Sequence, residues 1–204
     1  MPNFAEKEKR PFTVYVVLGH PERNSFNHAI AGKVAELLRV NGHDVYFHDL
    51  YEEKFDPVLR ESKLFENAPI SSVIQEHCRQ LSVADGVVVV HPNWWGQPPA
   101  MIKGWIDQVM RPGIAYRFVQ DETGHMFPHG LLSSKTILVI NTANSTHTDG
   151  LLQKIWEYTF VSCGVKNFHY QLLGGIAASS TEQRKEWLAK VKETVQELFP
   201  PSLS

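Results

Sequence analysis

A chain of 204 residues is long enough for one domain with a substantial buried core. Its 43% hydrophobic and 21% charged residues and its formal net charge of −2, with no long run of one sign, exclude neither an enzyme nor a binding protein, but argue against nucleic acid or an anionic membrane as main partner. Two distant cysteines, Cys78 and Cys163, ten scattered histidines with no pair at metal-ligand spacing, and no apolar run of the ~20 residues a membrane span needs fit a cytoplasmic protein with neither a disulfide scaffold nor a metal site.

In chain order, the N-terminal "MPNFAEKEKR" has no apolar core for a signal peptide, and residues 1–11 are expected to form a flexible arm before a single domain over 12–204. "FTVYVVLG" (12–19) reads as a strand. Phe26, Ile30, Val34, Leu37 and Leu38 repeat at helical spacing within 25–40, and Asn41-Gly42 stops the run. "HDVYFHDL" (43–50) is a second strand, followed by an irregular stretch to about Pro69 and a helix over 70–82. "DGVVVVHP" (85–92) is a third strand, with a helix over 99–110 that puts Ile102, Trp105, Ile106, Val109 and Met110 on one face. Residues 113–134 read as a loop-rich insert. "KTILVINTA" (135–143) is the fourth strand, 149–162 a helix, "FHYQLLGG" (168–175) the fifth strand and 180–198 an amphipathic closing helix.

Strands separated by helices imply an α/β fold, a doubly wound five-stranded parallel sheet with helices on both faces. The uniformly apolar strands 1, 3 and 4 belong at its centre and the polar strand 2 at an edge, which suits the flavodoxin-like order 2-1-3-4-5. In such a sheet ligands bind beyond the carboxyl ends of the strands where the order reverses. Three unusual segments follow strands 1, 3 and 4: "GHPERNSFNHAI", "HPNWWGQPPA" and "NTANSTHTDG". In the first, Asn24 or Ser25 caps a helix whose free N–H groups suit a phosphate, although no nucleotide-binding glycine motif is present. The second combines a backbone stiffened by Pro92, Gly96, Pro98 and Pro99 with two indoles, a setting for a flat heteroaromatic ring. Side chains alternate along a strand, so at least one of Trp94 and Trp95 is expected to face the site. The third loop is small and polar, and His147 in it is a candidate acid/base.

At these loops the sequence resembles the NAD(P)H:quinone oxidoreductases, flavoproteins of flavodoxin-like fold, over roughly Phe12 to Phe199. "LGHPERNSFNHAI", "HPNWWGQPPAMIKGWIDQVM" with "GIAYRF", and "NTANSTHTDGLLQKIWEYTFVSCGVKNF" carry the likeness. The third motif resembles the shorter bacterial branch, which includes ancillary proteins of potassium efflux systems. The resemblance implies that His20, Asn24, Ser25, Phe26 and Asn27 hold the flavin phosphate and ribityl chain. It puts Pro92, Asn93, Trp94, Trp95 and Gly96 along the isoalloxazine, and Asn141, Thr142, Ala143 and Asn144 at its opposite edge. Tyr116 and Phe118 fall where the family presents aromatics at the substrate pocket, from the partner subunit of a homodimer. The long members have Gly-Gly where this chain has Ala143-Asn144, and Asp149 stands near the position of their charge-relay tyrosine. FAD and FMN both remain open.

The implied activity is hydride transfer from NAD(P)H through bound flavin to quinones or similar acceptors. A regulatory flavoprotein subunit of a membrane transporter, such as a potassium efflux system, is the alternative. An electron-transfer flavodoxin fits less well, because such carriers are smaller and more acidic. A nitro- or azo-reductase would differ only in acceptor.

Overall fold

The computed structural model describes residues 10–63, 69–146 and 150–202, and within them strands and helices alternate as the hydrophobic pattern requires. The elements are β1 (Thr13–Leu18), α1 (Phe26–Val40), β2 (Asp44–Asp49), α2 (Ser72–Val83), β3 (Gly86–Pro92), α3 (Ala100–Val109), β4 (Tyr116–Gln120), β5 (Met126–Gly130), β6 (Thr136–Ala143), α4 (Leu151–Ser162), β7 (Asn167–Gly174) and α5 (Thr181–Leu198). Five strands pair in parallel in the order β2-β1-β3-β6-β7, the flavodoxin-like arrangement expected, with polar β2 at the edge.

The central strands are apolar throughout because both of their faces are covered. Tyr15, Val17, Val87, Val89, Ile137 and Val139 pack with Leu81 of α2, Trp105 of α3 and Trp156 of α4. Their neighbours Val14, Val16, Leu18, Val88, Val90, Leu138 and Ile140 pack with Ile30, Val34 and Leu38 of α1 and Val191 and Val195 of α5. Burying one such side chain contributes roughly 1.5–3 kcal/mol, so the two layers fix strand register without help from surface charge. Ser25, Ser71 and Ser180 cap α1, α2 and α5, each accepting a backbone N–H three residues on.

The insert over 113–134 holds more order than expected. β4 and β5 form an antiparallel hairpin, Tyr116 opposite Gly130 and Gln120 opposite Met126. Asp121 closes its turn: its Oδ1 accepts the N–H groups of Thr123 and His125, both at 2.9 Å, and Gly124 takes φ +84°. On α4, Leu152, Trp156 and Phe160 are buried against the sheet, while Leu151 is exposed. Residues 1–9 of the expected arm lie outside the described residues; Arg10 pairs with Asp85, which also accepts the Thr13 N–H at 2.9 Å. Among the described residues no helix is long and apolar enough to cross a membrane.

Gly104 shows how closely α3 is packed. A Cβ there would lie 2.3 Å from the Pro57 carbonyl oxygen and 2.4 Å from its Cα. In an open helix Gly→Ala stabilises by about 1 kcal/mol. Here overpacking reverses the sign, and Gly104→Ala is expected to destabilise by about 1–3 kcal/mol, measured by urea unfolding.

Candidate active site

The chain leaving β1 is held beside β3 by a 3.0 Å bond from the Gly19 N–H to the Val90 carbonyl. It then turns into α1 through Ser25, whose extended backbone and side-chain oxygen make the cap. Helix geometry leaves the N–H groups of Phe26 and Asn27 without intrahelical partners, and the first turn carries no acidic residue. The end of α1 is therefore a site of partial positive charge, suited to an anion. His20 stands beside it with Nδ1 accepting the Glu22 N–H at 3.1 Å, and burial pushes its pKa down, which favours the neutral ring.

β3 ends at Pro92, so the two tryptophans do not lie in a strand and the expected alternation does not apply. They sit in a tight turn. The Asn93 N–H reaches the Thr142 carbonyl at 2.6 Å, and the Asn93 side-chain oxygen accepts the Gly96 N–H at 2.8 Å. Trp94 and Gln97 exchange both backbone bonds at 3.1 Å. Between them Trp95 has φ +57° and Gly96 φ +72°, two consecutive positive values as in a type I′ turn. The turn points Trp94 into the cleft, with its indole 6.1 Å from the His20 ring, and leaves Trp95 fully exposed at the tip. Gly96 does not border the cleft either: a Cβ on it meets no protein atom within 4 Å, and glycine is there for its φ.

The third loop supplies a node. Thr142 is buried, its carbonyl takes the Asn93 N–H, and its hydroxyl bonds the Asn27 side chain, with Asn27 Nδ2 at 2.9 Å. Asn141, expected at the site, is instead consumed below it. Its Nδ2 donates to the His91 carbonyl at 3.1 Å and its Oδ1 accepts the Tyr170 hydroxyl at 3.0 Å. Fully buried His91 is fixed as one tautomer: Trp156 Nε1–H donates to its Nε2 at 2.9 Å, so Nδ1 carries the hydrogen and donates to the Pro92 carbonyl at 2.8 Å. Burial pushes its pKa down to about 4.

Together the loops enclose a cleft of about 340 Å³. His20, Asn24, Ser25, Phe26 and Asn27 border it from the first loop, Pro92, Asn93 and Trp94 from the second, and Thr142, Ala143 and Asn144 from the third. Three further residues were not expected there: Glu22, Ile176 and Arg184. Arg184, in the first turn of α5, donates from Nε to Ser179 Oγ at 2.8 Å and stacks 5.6 Å from the Phe26 ring centre, which brings a cation to the α1 end of the cleft. Its signal is hidden because "EQRKEW" reads as an ordinary solvated helix face. Tyr116 and Phe118 form an edge-to-face pair at 5.7 Å but do not border the cleft of their own chain. Tyr116 borders a separate pocket of about 130 Å³ beside Arg111 and Pro112, and Phe118 is exposed. His147 and Asp149 lie outside the described residues.

A family model described as flavodoxin-like fold matches residues 13–198. An uncharacterized NAD(P)H oxidoreductase of Haemophilus influenzae is 29% identical over 192 residues, covering 89% of this chain and 93% of that protein. NAD(P)H dehydrogenase [quinone] 1 of Cavia porcellus is 28% identical, covering 90% of this chain and 76% of that protein. Among solved structures, an FMN-dependent NADH-azoreductase from Bacillus anthracis in complex with FMN shares the fold at TM-score 0.73 and 18% identity, over 92% of this chain and 99% of that one. The chain belongs to the flavodoxin-like family and, within it, to the NAD(P)H:quinone oxidoreductases. It is an oxidoreductase.

His91 yields a pH dependence. Its folded pKa lies below the ordinary 6.5, so the unfolded chain takes up a proton first as pH falls. The associated stability is complete above about pH 6.5 and is lost toward pH 4, at about 1.4 kcal/mol per unit and up to about 3 kcal/mol in all. His91→Asn, though less stable at neutral pH, is expected to show a correspondingly shallower acid slope in urea-unfolding free energies between pH 6.5 and 4.

Proposed function

We propose that the protein is a flavin-dependent oxidoreductase that takes hydride from NAD(P)H and passes it to a quinone-like acceptor. The observation carrying this reading is the cleft itself: Thr142 ties the capped helix end, the rigid 92–97 turn and the third loop around one space. Its donors fit a flavin. The α1 N-terminus, Ser25 and Arg184 suit the phosphate, Asn24 and Asn27 the ribityl hydroxyls, and Pro92 to Trp94 with Ala143 and Asn144 the ring and its polar edge. An azoreductase of the same fold, in complex with FMN, supports flavin as the ligand. Bound flavin would supply reversible hydride chemistry, and the chain's own residues orient it and limit water. The neutral His20 ring offers hydrogen bonding near the anion without adding charge.

The quinone-like acceptor draws support from the names of the relatives. A homodimer draws support from apolar surface: Phe118 and Met126 on the β4–β5 hairpin and Leu151, Tyr158 and Val161 on α4 are all exposed. In such a dimer Tyr116 and Phe118 would reach the acceptor from the second copy.

Acid release and chromatography of the cofactor from purified protein should yield one flavin, FAD or FMN. A colourless protein that binds neither would overturn the proposal. Ser25→Ala is expected to lose about 1 kcal/mol of stability with the cap, and to weaken flavin retention further. The two indoles should separate. Trp94→Ala should slow NADPH–menadione turnover, whereas Trp95→Ala, which touches nothing within its own chain's cleft, should leave the thermal midpoint near the parent value; equal effects on both measurements would contradict the assignment of Trp94 to the site.

A further inference from the structure

Three residues from the end of β2, the turn after it and α2 meet on the face of the sheet covered by α2. His48 is the penultimate residue of β2, Glu53 lies in the turn that follows, and His77 is on α2. His48 Nδ1 lies 2.8 Å from Glu53 Oε1 and His77 Nε2 3.0 Å from Glu53 Oε2. One ligand atom from each residue falls within 4.8 Å of the others. Both histidines are buried and Glu53 is partly exposed. None of the three borders the catalytic cleft.

The outer nitrogens of both rings are already engaged. Gln80 donates from Nε2 to Glu76 at 2.6 Å, so its oxygen faces His48 Nε2 at 2.5 Å and requires a hydrogen on that nitrogen. His48 Nδ1 therefore meets a carboxylate oxygen with the opposite ring nitrogen already protonated, and the contact is satisfied only by a second proton or a metal ion. His77 Nδ1 lies 2.5 Å from the Tyr15 hydroxyl, which also accepts the Trp105 indole N–H at 3.0 Å. Fixed outer nitrogens around convergent imidazole and carboxylate groups are the usual surroundings of a metal ion.

We propose that His48 Nδ1, His77 Nε2 and the Glu53 carboxylate bind one divalent transition-metal ion of the zinc class, at a site separate from the flavin cleft. Two imidazoles and a carboxylate form a ligand set zinc accepts, with a fourth position left for water. The entry path is a surface pocket of about 380 Å³, bordered by the three ligands with Ser72, Val73 and Glu76. Tetrahedral ligands about 2.0–2.1 Å from an ion sit about 3.3 Å apart, so side-chain rotation of partly exposed Glu53 and small ring shifts close the site. On binding, the second proton of His48 leaves to solvent. The His77 proton moves from Nε2 to Nδ1 and is donated to the Tyr15 oxygen, whose hydroxyl keeps its own hydrogen and turns from donor to acceptor at that contact. The ion would join the end of β2 to α2.

The test uses tag-free, flavin-loaded full chain treated with EDTA and dialysed. Titration with Zn2+ in a calorimeter should give one equivalent bound at micromolar affinity or tighter, with about one proton released when buffers of different ionisation heat are compared. Co2+ should give the visible absorption of a four- or five-coordinate ion. Glu53→Gln, which keeps the side chain's shape, and His48→Gln should abolish the Co2+ band and weaken Zn2+ binding by more than the factor of about 10–100 expected for the outer variant Gln80→Ala. Flavin content and NADPH oxidation should stay at the parent level in Glu53→Gln, which shows that the variant is folded. Absence of saturable binding in the parent, or Zn2+ binding that survives unchanged in Glu53→Gln, would overturn the proposal and leave the cluster a proton-bridged hydrogen-bond network. Loss of flavin from the parent protein would count against the flavin reading alone, since the metal titration does not depend on it.

Discussion

The geometry of the cleft depends on Thr142. It is the penultimate residue of β6, buried, and bonded through its carbonyl to the second loop and through its hydroxyl to the first helix. Loops at the end of a sheet ordinarily move relative to one another, because few buried contacts hold them. Here each of the other two segments is tied to a residue that is itself locked in the middle of a parallel sheet. A neutral hydrogen bond contributes only about 0.5–1.5 kcal/mol, yet two bonds at one buried position remove relative freedom that a ligand would otherwise have to suppress on binding.

A second tier of polar contacts lies below. Buried His91, Asn141 and Trp156 and half-buried Tyr170 form a set whose bonds connect β3, β6, β7 and α4. Every member uses its polar atoms on a neighbour or on the backbone. The Pro92 carbonyl, at the last residue before the tryptophan turn, accepts from His91. The floor of the site is thus held by side chains that never reach its surface. Protonating His91 would oblige Nε2, which accepts from Trp156, to become a second donor facing a donor, and this is why burial and geometry both favour the neutral ring.

How much could be read from the sequence follows from which physics each feature obeys. The strand order was legible because covered strands must be apolar on both faces, and β1, β3 and β6 show it while β2 does not. Most of the cleft border was legible because topology alone sends the first and third loops to one edge. Asn141 was misplaced by one residue's worth of alternation: its neighbour Thr142 faces the loops while Asn141 turns into the layer of α4. The hairpin over 116–130 was missed because Pro128 and a polar turn weaken its alternation, although "DETG" is a turn signal flanked by alternating residues. Arg184 and the His48–Glu53–His77 cluster have no local spacing to find. They are assembled by tertiary contact, across α1 and α5 in one case and β2 and α2 in the other.

The tryptophan pair is the instructive failure of a simple rule. Alternation along a strand predicts opposite orientations for adjacent residues, and the two indoles do diverge, but for a different reason. Pro92 ends the ladder, and the chain reverses within four residues so tightly that Trp95 must take a left-handed backbone. For a residue with a Cβ that conformation costs roughly 1–2 kcal/mol. Two features offset it locally: the Asn93 side chain accepts the Gly96 N–H, and the Trp94–Gln97 pair closes the turn with two backbone bonds. A looser loop would avoid the strain but would let Trp94 swing out of the cleft. Strain held at the rim is therefore the counterpart of order at the wall, and it is tolerable only because Asn93 is itself anchored to Thr142.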